Sequence, residues 1–281
     1  MAAAGASGIS RGGTRMMKLL KVLGLSMAVM SAMTLAAKAQ SVEDIKARGK
    51  VLVAMDLGSP PYAFTDANQQ PQGSDIETAK LLAADMGVEL QIVPTNGQGR
   101  IPALLSKKAD LVIATFSYTP ERAKTVAFSD PYSFTRSVIF AEKGAKISSL
   151  DDLVGKKTGV ARGTTPDVQL GKLLPKGADI VRYDDDATTI AALASGQIDA
   201  LGTADNRFLT LEERFPGRFE IKYQVDKYYL GIGLRLGNQD LLDYLNKWVA
   251  ANMQNGKLPD IYQKWLKQPL PKLPKISEIG G

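Results

Sequence analysis

Residues 111–122 read LVIATFSYTPER, an apolar strand followed at once by hydroxyl side chains and the start of a helix. Thr119 can cap that helix with its hydroxyl group, and Pro120 suits the first helical position. Further strands and helices alternate on both sides of this stretch. Strands that alternate with helices of this length predict an α/β fold, with layers around a largely parallel sheet.

Upstream of this stretch, Ser41 and Asp44 have the spacing of a capping box at the start of a short helix. An apolar strand over 51–53 leads to Asp56, and apolar residues at helical spacing follow over 74–86. The same patterns predict a strand over 88–93, a helix over 101–107 and a strand over 111–114.

The alternation starts again after an apolar segment over 134–141. It ends with a strand and two helices that cannot form a core of their own, so we expect them to dock on the first lobe. The predicted helices span 150–154 (capped by Ser149), 165–174, 186–195, 205–215, 240–255 and 258–266, and the predicted strands span 158–160, 180–183, 198–201 and 231–236.

This order of elements predicts two lobes. Lobe 1 is formed by residues 40–137 and 229–281, and lobe 2 by residues 138–228. The chain then crosses between the lobes twice. Paired crossovers beside a cleft are the setting for hinge closure around a ligand.

Residues 1–39 have the pattern of a signal peptide. Two lysines precede an apolar run over 22–37, and small residues follow as far as Ala39. The run is short for a membrane span, which needs about 20 apolar residues. We expect cleavage after Ala39 and a periplasmic product, and a retained anchor is the alternative.

The composition excludes several kinds of site. The 281 residues include neither cysteine nor histidine, which rules out thiolate metal sites, disulfides and the usual imidazole general base. The net charge is +6, but five basic residues and no acid precede residue 40, so the rest of the chain is nearly neutral. We therefore expect no nucleic acid partner, no metal and no cofactor.

The segment 114–122 carries the clearest candidate site. Arg122 lies in the first turn of the predicted helix, where a cation opposes the helix dipole. An arginine fork and free backbone N–H groups at this point suit a carboxylate. The alternative is an exposed Arg122 paired with Glu121 or Asp130. The residues that end the preceding strand, where α/β proteins bind ligands, are Thr115, Phe116 and Ser117.

The turn after the predicted strand 158–160 occupies the matching place in lobe 2. Gly163, Thr164 and Thr165 offer N–H and hydroxyl groups to a carboxylate that Arg122 already holds. Simple capping of the next helix is the alternative for the two threonines.

Two carboxylates follow apolar strands and are candidates to hold an ammonium group, namely Asp56 and Asp205. Asp205 is equally well placed to cap the next helix. The run 184–186 lacks the spacing of a calcium loop and indicates a solvated helix start. Aromatic residues that can line a pocket, or belong to the core, are Tyr62, Phe64, Tyr118 and Tyr132.

Several short motifs occur in a characteristic order: Asp56 with Pro61 and Tyr62, GSDIE over 73–77, IPALL over 101–105, TPER over 119–122, FSDPY over 128–132, GTT over 163–165 and GQIDA over 196–200. Residues 42–267 thereby resemble the family 3 extracellular solute-binding proteins, the periplasmic receptors of polar amino acid ABC importers. The resemblance implies a two-lobed, hinged type II periplasmic-binding-protein fold. It also implies a monomer that delivers its ligand to a membrane permease and is no enzyme.

The resemblance also assigns roles to the candidate residues. The ligand α-carboxylate would be held by Arg122 with the turn after strand 158–160. The residues that would line the pocket or contact the ligand are Asp56, Thr115, Ser117, Thr164 and Thr165.

The chain departs from the family pattern at positions near the pocket. Ser59 and Ser74 stand where the family commonly has aromatic residues, and the family has a further aromatic residue near Gly97. Arg100 stands where the family usually has an apolar residue. The lost stacking surfaces and the added cation favour a ligand with extra polar or anionic character.

The carboxylate that holds the ammonium group in the family falls at Ala204 here, one residue before Asp205. Either the strand end is bulged or the ammonium partner differs, and a ligand without an α-ammonium group then becomes an alternative.

Two other functions stay open at this point. One is a cyclohexadienyl dehydratase-like enzyme on the same fold, with Asp205 or Glu212 as general acid. The other is a sensory ligand-binding module, which would be expected to continue into a transmembrane segment.

Overall fold

A computed structural model describes residues 41–279 of the chain. The predicted signal peptide therefore lies outside the described residues. Between residues 41 and 279, no helix has the length and apolar character needed to cross a membrane.

Sheet I contains the apolar strand predicted near residue 51. Its strands, in spatial order, are β5 (Glu89–Pro94), β1 (Lys50–Met55), β6 (Leu111–Val112), β13 (Gly233–Arg235) and β7 (Val126–Phe128). The first three are parallel, whereas β13 is antiparallel to both of its neighbours. A small antiparallel sheet beside it consists of β2 (Gly58–Ser59), β3 (Ala63–Thr65) and β4 (Pro71–Gln72).

Sheet II has the spatial order β10 (Asp179–Tyr183), β9 (Lys157–Ala161), β11 (Ala200–Ala204), β8 (Ser133–Glu142) and β12 (Phe219–Leu230). Strands β10, β9 and β11 are parallel, and β8 is antiparallel to β11 and β12. The α/β class is confirmed, but each sheet is mixed rather than largely parallel. In sheet II the reason is that β8 and β12 carry the chain to and from the sheet in opposite directions. In sheet I the returning strand β13 is antiparallel to its neighbours.

The long strand β12 was not predicted from the sequence. It reads FEIKYQVDKYYL, in which charged residues interrupt the apolar ones, and it lies at the edge of sheet II. It pairs with β8 along its whole length, with two register shifts. Pairing with a buried neighbour therefore stabilises a strand whose own pattern is weak.

Helices cover the sheets. They are α1 (Val42–Arg48), α2 (Ser74–Met86), α3 (Arg100–Leu105), α4 (Pro120–Ala123), α5 (Thr165–Leu173), α6 (Asp186–Ala194), α7 (Arg207–Arg214), α8 (Gln239–Gln254) and α9 (Lys257–Leu266).

The helix starts agree with the predicted caps in part. Ser41 forms the predicted capping box at α1. The predicted cap at Ser149 is wrong, because only a 3₁₀ turn forms there and its N-cap is Leu150. Helix α7 begins two residues later than predicted, and its N-cap is Asn206 rather than Asp205.

The largest apolar core packs sheet I against α2, α8 and α9. The two C-terminal helices therefore lie on the sheet to which they were expected to return. Sheet II has separate apolar clusters on its two faces. The exact lobe limits remain a prediction. Representative members of the largest core are Val51, Val53, Leu82, Leu245 and Leu258.

Candidate functional site

Arg122 connects residues beside sheet I with residues beside sheet II. Its Nη1 donates to the carbonyl oxygen of Ser117 at 2.9 Å and to Thr165 Oγ1 at 3.1 Å, and its Nη2 donates to the carbonyl oxygen of Gly163 at 3.2 Å. The guanidinium carbon lies 4.9 Å from the centre of the Phe116 ring. The side chain therefore faces the space between the sheets, at the place where the sequence predicted an anion site.

Arg122 has no carboxylate partner among residues 41–279. The alternative pairing with Glu121 is not formed, since Glu121 pairs with Lys124 at 2.7 Å. Burial lowers the pKa of Arg122 to about 9, and the nearby cation of Arg100 adds to this effect. Arg122 is half-buried, and a cation that loses part of its hydration without a counter-ion is unfavourable, so an anion placed here would relieve that cost.

The two threonines of the turn before α5 make different contacts, and the capping role is confirmed for Thr164. Thr164 is the N-cap of α5, and its Oγ1 accepts from Asp167 N at 3.4 Å. Thr165 contacts Arg122 instead. Gly163 has a φ of +74°, and a Cβ there would lie 2.7 Å from the backbone nitrogen of Gln98. The turn therefore packs closely against the loop that precedes α3.

Thr115 has a strained backbone beside the cleft. Its φ is +50°, a left-handed conformation that is rare for a β-branched residue. The carboxylate of Asp75 accepts from Thr115 N at 2.6 Å and from Tyr132 Oη at 2.8 Å. Asp75, in the first turn of α2, thus holds the backbone of Thr115 in place. Burial raises the pKa of Asp75. Ser74 is buried beside it, at the first position of α2.

A cavity of about 30 Å³ lies between the two sheets, next to these residues. It includes five of the predicted site residues, namely Arg100, Thr115, Ser117, Thr164 and Thr165. The cavity is also lined by residues that the sequence did not single out as site residues, and these are Thr135, Arg136, Ser137, Pro166, Asp186, Thr203, Ala204, Arg207 and Tyr228.

Arg100 and Asp56 form a buried pair at one side of the cavity. Arg100 Nη2 donates to Asp56 Oδ2 at 3.2 Å, and Asp56 Oδ1 accepts from Gly58 N at 3.1 Å. Burial raises the pKa of Asp56, although the cation of Arg100 opposes the rise. Asp56 therefore supports Arg100 from behind and does not itself line the cavity.

A second buried pair was missed by the sequence reasoning. Arg207 Nη2 contacts Asp186 Oδ2 at 2.5 Å and donates to Ser59 Oγ at 2.6 Å, and its Nη1 donates to the carbonyl oxygen of Pro60 at 2.8 Å. Its guanidinium lies 4.9 Å from the centre of the Tyr62 ring. The pair therefore links α6 and α7 of sheet II to the loop after β1 of sheet I.

The expectation of a solvated helix start at 184–186 is wrong for Asp186. Asp185 is the N-cap of α6, and its side chain accepts from Thr188 N. Asp186, in contrast, is buried and accepts from Arg207, Ser59 and Thr203. Burial alone would raise the pKa of Asp186, yet these partners outweigh it and hold that pKa below its ordinary value. Within residues 41–279, no three potential metal-ligating side chains group together.

Asp205 lies behind the cavity wall. Its Oδ1 accepts from Thr135 Oγ1 and from Arg136 N, both at 3.1 Å, and its Oδ2 pairs with Arg136 Nη1 at 2.9 Å. Ala204, not Asp205, lines the cavity. The structure therefore places the carboxylate of Asp205 with Arg136, where it neither caps α7 nor faces the cavity directly.

The sequence and the fold of the chain both match known proteins. Residues 51–268 match the family described as bacterial extracellular solute-binding proteins, family 3. The chain belongs to this family. The L-cystine-binding protein TcyJ of Escherichia coli K12 is 33% identical over 224 residues, which are 79% of this chain and 84% of that protein.

Solved structures of family 3 type show the same fold. A mutant of ArgBP from T. maritima superposes with a TM-score of 0.76 at 33% identity, over 82% of this chain and 100% of that one. The ancestral amino acid-binding protein AncCDT-1, a precursor of cyclohexadienyl dehydratase, has a TM-score of 0.75 at 33% identity, over 80% and 99% of the two chains. The chain therefore has the type II periplasmic-binding-protein fold.

Two departures from the family 3 pattern now have structural explanations. Ser59 replaces an aromatic residue at a point where its hydroxyl joins the Arg207 and Asp186 pair. A Cβ at Gly97 would overlap the carbonyl oxygen of Arg162, so no aromatic side chain fits there in this arrangement. Both positions serve contacts between the two sheets rather than ligand stacking.

Proposed function

We propose that the chain is a periplasmic receptor that captures an amino acid or a related small polar carboxylate and delivers it to the membrane permease of an ABC importer. Membership of family 3 supports the class of function, and the cavity between the two sheets supports capture of a small molecule. The observation that carries the proposal is Arg122, a cation that has no carboxylate partner within residues 41–279 and already contacts residues of both sheets.

Closure of the cleft explains how binding can be signalled. Ser117 lies beside sheet I and Thr165 beside sheet II, and Arg122 contacts both. A carboxylate held by Arg122 gains the groups from the second sheet only when the lobes close. A ligand shifts the equilibrium to the closed state in proportion to such differential contacts, and a permease can then distinguish closed from open by surface shape.

The dehydratase alternative finds no support in the cavity. Of the described residues that line it, Asp186 is the one carboxylate, and its pKa is lowered below the ordinary value. General acid catalysis needs a raised pKa instead. Glu212, the other suggested acid, accepts from Gly217 N at the end of α7.

The test is a binding screen on the mature protein. Thermal-shift measurements against amino acids and small carboxylates find the ligand, because a ligand at 1,000 times its Kd stabilises by about 4 kcal/mol. Calorimetry then compares the wild type with Arg122→Ala. Loss of a buried partner for the ligand carboxylate costs about 2–5 kcal/mol, so we expect affinity to fall by at least about 30-fold.

The control for this test is Arg218→Ala. Arg218 forms an exposed pair with Glu142 and lies outside the cavity, so its loss should leave affinity unchanged. The unliganded Arg122→Ala protein should still fold, because it loses three hydrogen bonds at a half-buried side chain but leaves no carboxylate without a partner. Wild-type affinity in a folded Arg122→Ala protein would refute the proposal.

A further inference from the structure

The cavity is rich in guanidinium groups. Three arginines line it, Arg100, Arg136 and Arg207, against one carboxylate among the described residues, Asp186. Arg207 pairs with Asp186, and Arg136 pairs with Asp205. The carboxylates lie at 2.5 Å from Arg207 and at 2.9 Å from Arg136, whereas Arg100 has a longer pair, with Asp56 at 3.2 Å.

Arg100 is buried but makes few hydrogen bonds. It is 2% exposed, and its one hydrogen bond within residues 41–279 is the 3.2 Å contact to Asp56. Its Nε is buried and has no partner there. An arginine offers five N–H donors, and buried donors without acceptors destabilise a protein. An acceptor in the cavity would satisfy the remaining donors.

Arg100 also lies close to Arg122. Arg122 donates to the carbonyl oxygen of Ser117 and to Thr165 Oγ1, and both of these residues line the cavity that Arg100 lines. One ligand carboxylate at Arg122 would leave the donors of Arg100 without a partner. One cation on the cavity wall and a second cation directly beside the cavity are best matched by two anionic groups on one ligand.

The carboxylate in the cavity wall is not available to a cationic ligand. Asp186 Oδ1 accepts from Thr203 at 2.8 Å, and Oδ2 accepts from Ser59 at 2.9 Å as well as from Arg207. A basic ligand side chain would therefore find no free counter-ion among the described lining residues. It would also meet the guanidinium of Arg100.

We infer that the ligand carries a second carboxylate, which Arg100 receives while Arg122 holds the first. This inference rests on the proposed receptor function and narrows its ligand class. Two sources share the chemistry: acidic amino acids, and plain dicarboxylates that lack the α-ammonium group.

The experiment compares acids with their amides by calorimetry. L-glutamate is measured against L-glutamine, and L-aspartate against L-asparagine, because each pair differs in charge while size stays the same. A charge-assisted hydrogen bond to Arg100 predicts that the wild type binds the better acid about 10- to 100-fold more tightly than its amide. Glutarate and succinate distinguish the plain dicarboxylates from the amino acids.

Two variants assign the preference to Arg100. Arg100→Gln can still donate to Asp56, and Arg100→Gln with Asp56→Asn removes both charges, so no buried carboxylate is left unpaired. We expect both proteins to fold and to lose about tenfold or more of the preference for acid over amide. Arg218→Gln, which changes an exposed arginine, should keep the full preference.

The outcomes separate this inference from the receptor proposal. If glutamine or arginine binds more tightly than either acid, and Arg122→Ala abolishes that binding, the receptor proposal stands and the inference is wrong. An unchanged ratio of acid to amide affinity in a folded Arg100→Gln protein also overturns the inference. If the wild type binds no member of the panel, both fail.

Discussion

Replacing Arg207 by methionine tests the buried link between the two sheets. The guanidinium is 1% exposed and is held by Asp186, Ser59 and the carbonyl oxygen of Pro60. Methionine keeps much of the apolar contact with Tyr62 but removes the charge. Asp186 then stays buried with only two hydroxyl donors, from Ser59 and Thr203.

The size of the effect follows from leaving one buried charge uncompensated. Breaking a buried ion pair in this way costs about 3–5 kcal/mol, and we expect a loss of this size for Arg207→Met at pH 7. Because about 1 kcal/mol shifts the melting temperature of a domain this large by about 2–4 °C, the shift should be near 10 °C. Arg218→Met, at an exposed pair, should cost less than about 1 kcal/mol.

A double variant and the pH dependence of stability identify the cause of the loss in Arg207→Met. Arg207→Met with Asp186→Asn removes both charges and should recover about 2 kcal/mol relative to the sum of the single changes. In the wild type the pKa of Asp186 is below its ordinary 3.8, so the pair stabilises the fold above about that pH and loses its effect as the pH falls further. In Arg207→Met, burial without the arginine raises the pKa of Asp186. The loss of stability relative to the wild type should therefore shrink as the pH is lowered.

Urea denaturation followed by far-UV circular dichroism measures these differences between pH 4 and pH 7. The assignment of Arg207 and Asp186 as a coupled pair would be refuted by either of two results. One is that the stability losses of the two single variants add up to the loss of the double variant, and the other is that the stability loss of Arg207→Met does not vary with pH.

Two further changes test the closed arrangement and a helix cap. Gly97→Ala places a Cβ against the carbonyl oxygen of Arg162 and should weaken ligand affinity in calorimetry by hindering closure, whereas Gly144→Ala, where a Cβ meets nothing, should not. Equal ligand affinities of the wild type and Gly97→Ala would contradict the expected effect on closure. Ser41→Ala removes the hydrogen bond from Asp44 N at 3.1 Å and should cost about 1 kcal/mol in urea denaturation, and an unchanged midpoint would show that the cap contributes nothing.

Much of the fold could be predicted because its signals are local. Apolar runs identified β1 and β6, and periodic apolar residues with a terminal glycine identified α2. Strand β12 escaped prediction because its stability comes from pairing with β8, and a strand partner is not visible in the local pattern. The mixed direction of both sheets escaped for the same reason, since it depends on the path of the chain between them.

The candidate site likewise contains residues that could be predicted from the sequence and residues that could not. Arg122 could be found because a cation in a first helical turn opposes the helix dipole and suits an anion, and Thr165 could be matched to it by topology alone. The pair of Arg207 and Asp186 could not be found, because an acidic run before a helix has an ordinary local explanation as a solvated start. Its burial arises only where α6 and α7 meet the loop after β1.

By itself the sequence determined the alternation of strands and helices, the place of the arginine proposed to bind an anion and the resemblance to a receptor family, because each depends on residues close together in the chain. Only the tertiary structure decided that Asp186 pairs with Arg207, that Asp205 turns to Arg136 and that Arg100 keeps unused donors. Charges are matched by distance in space, and at these places the chain brings together residues that its order leaves far apart.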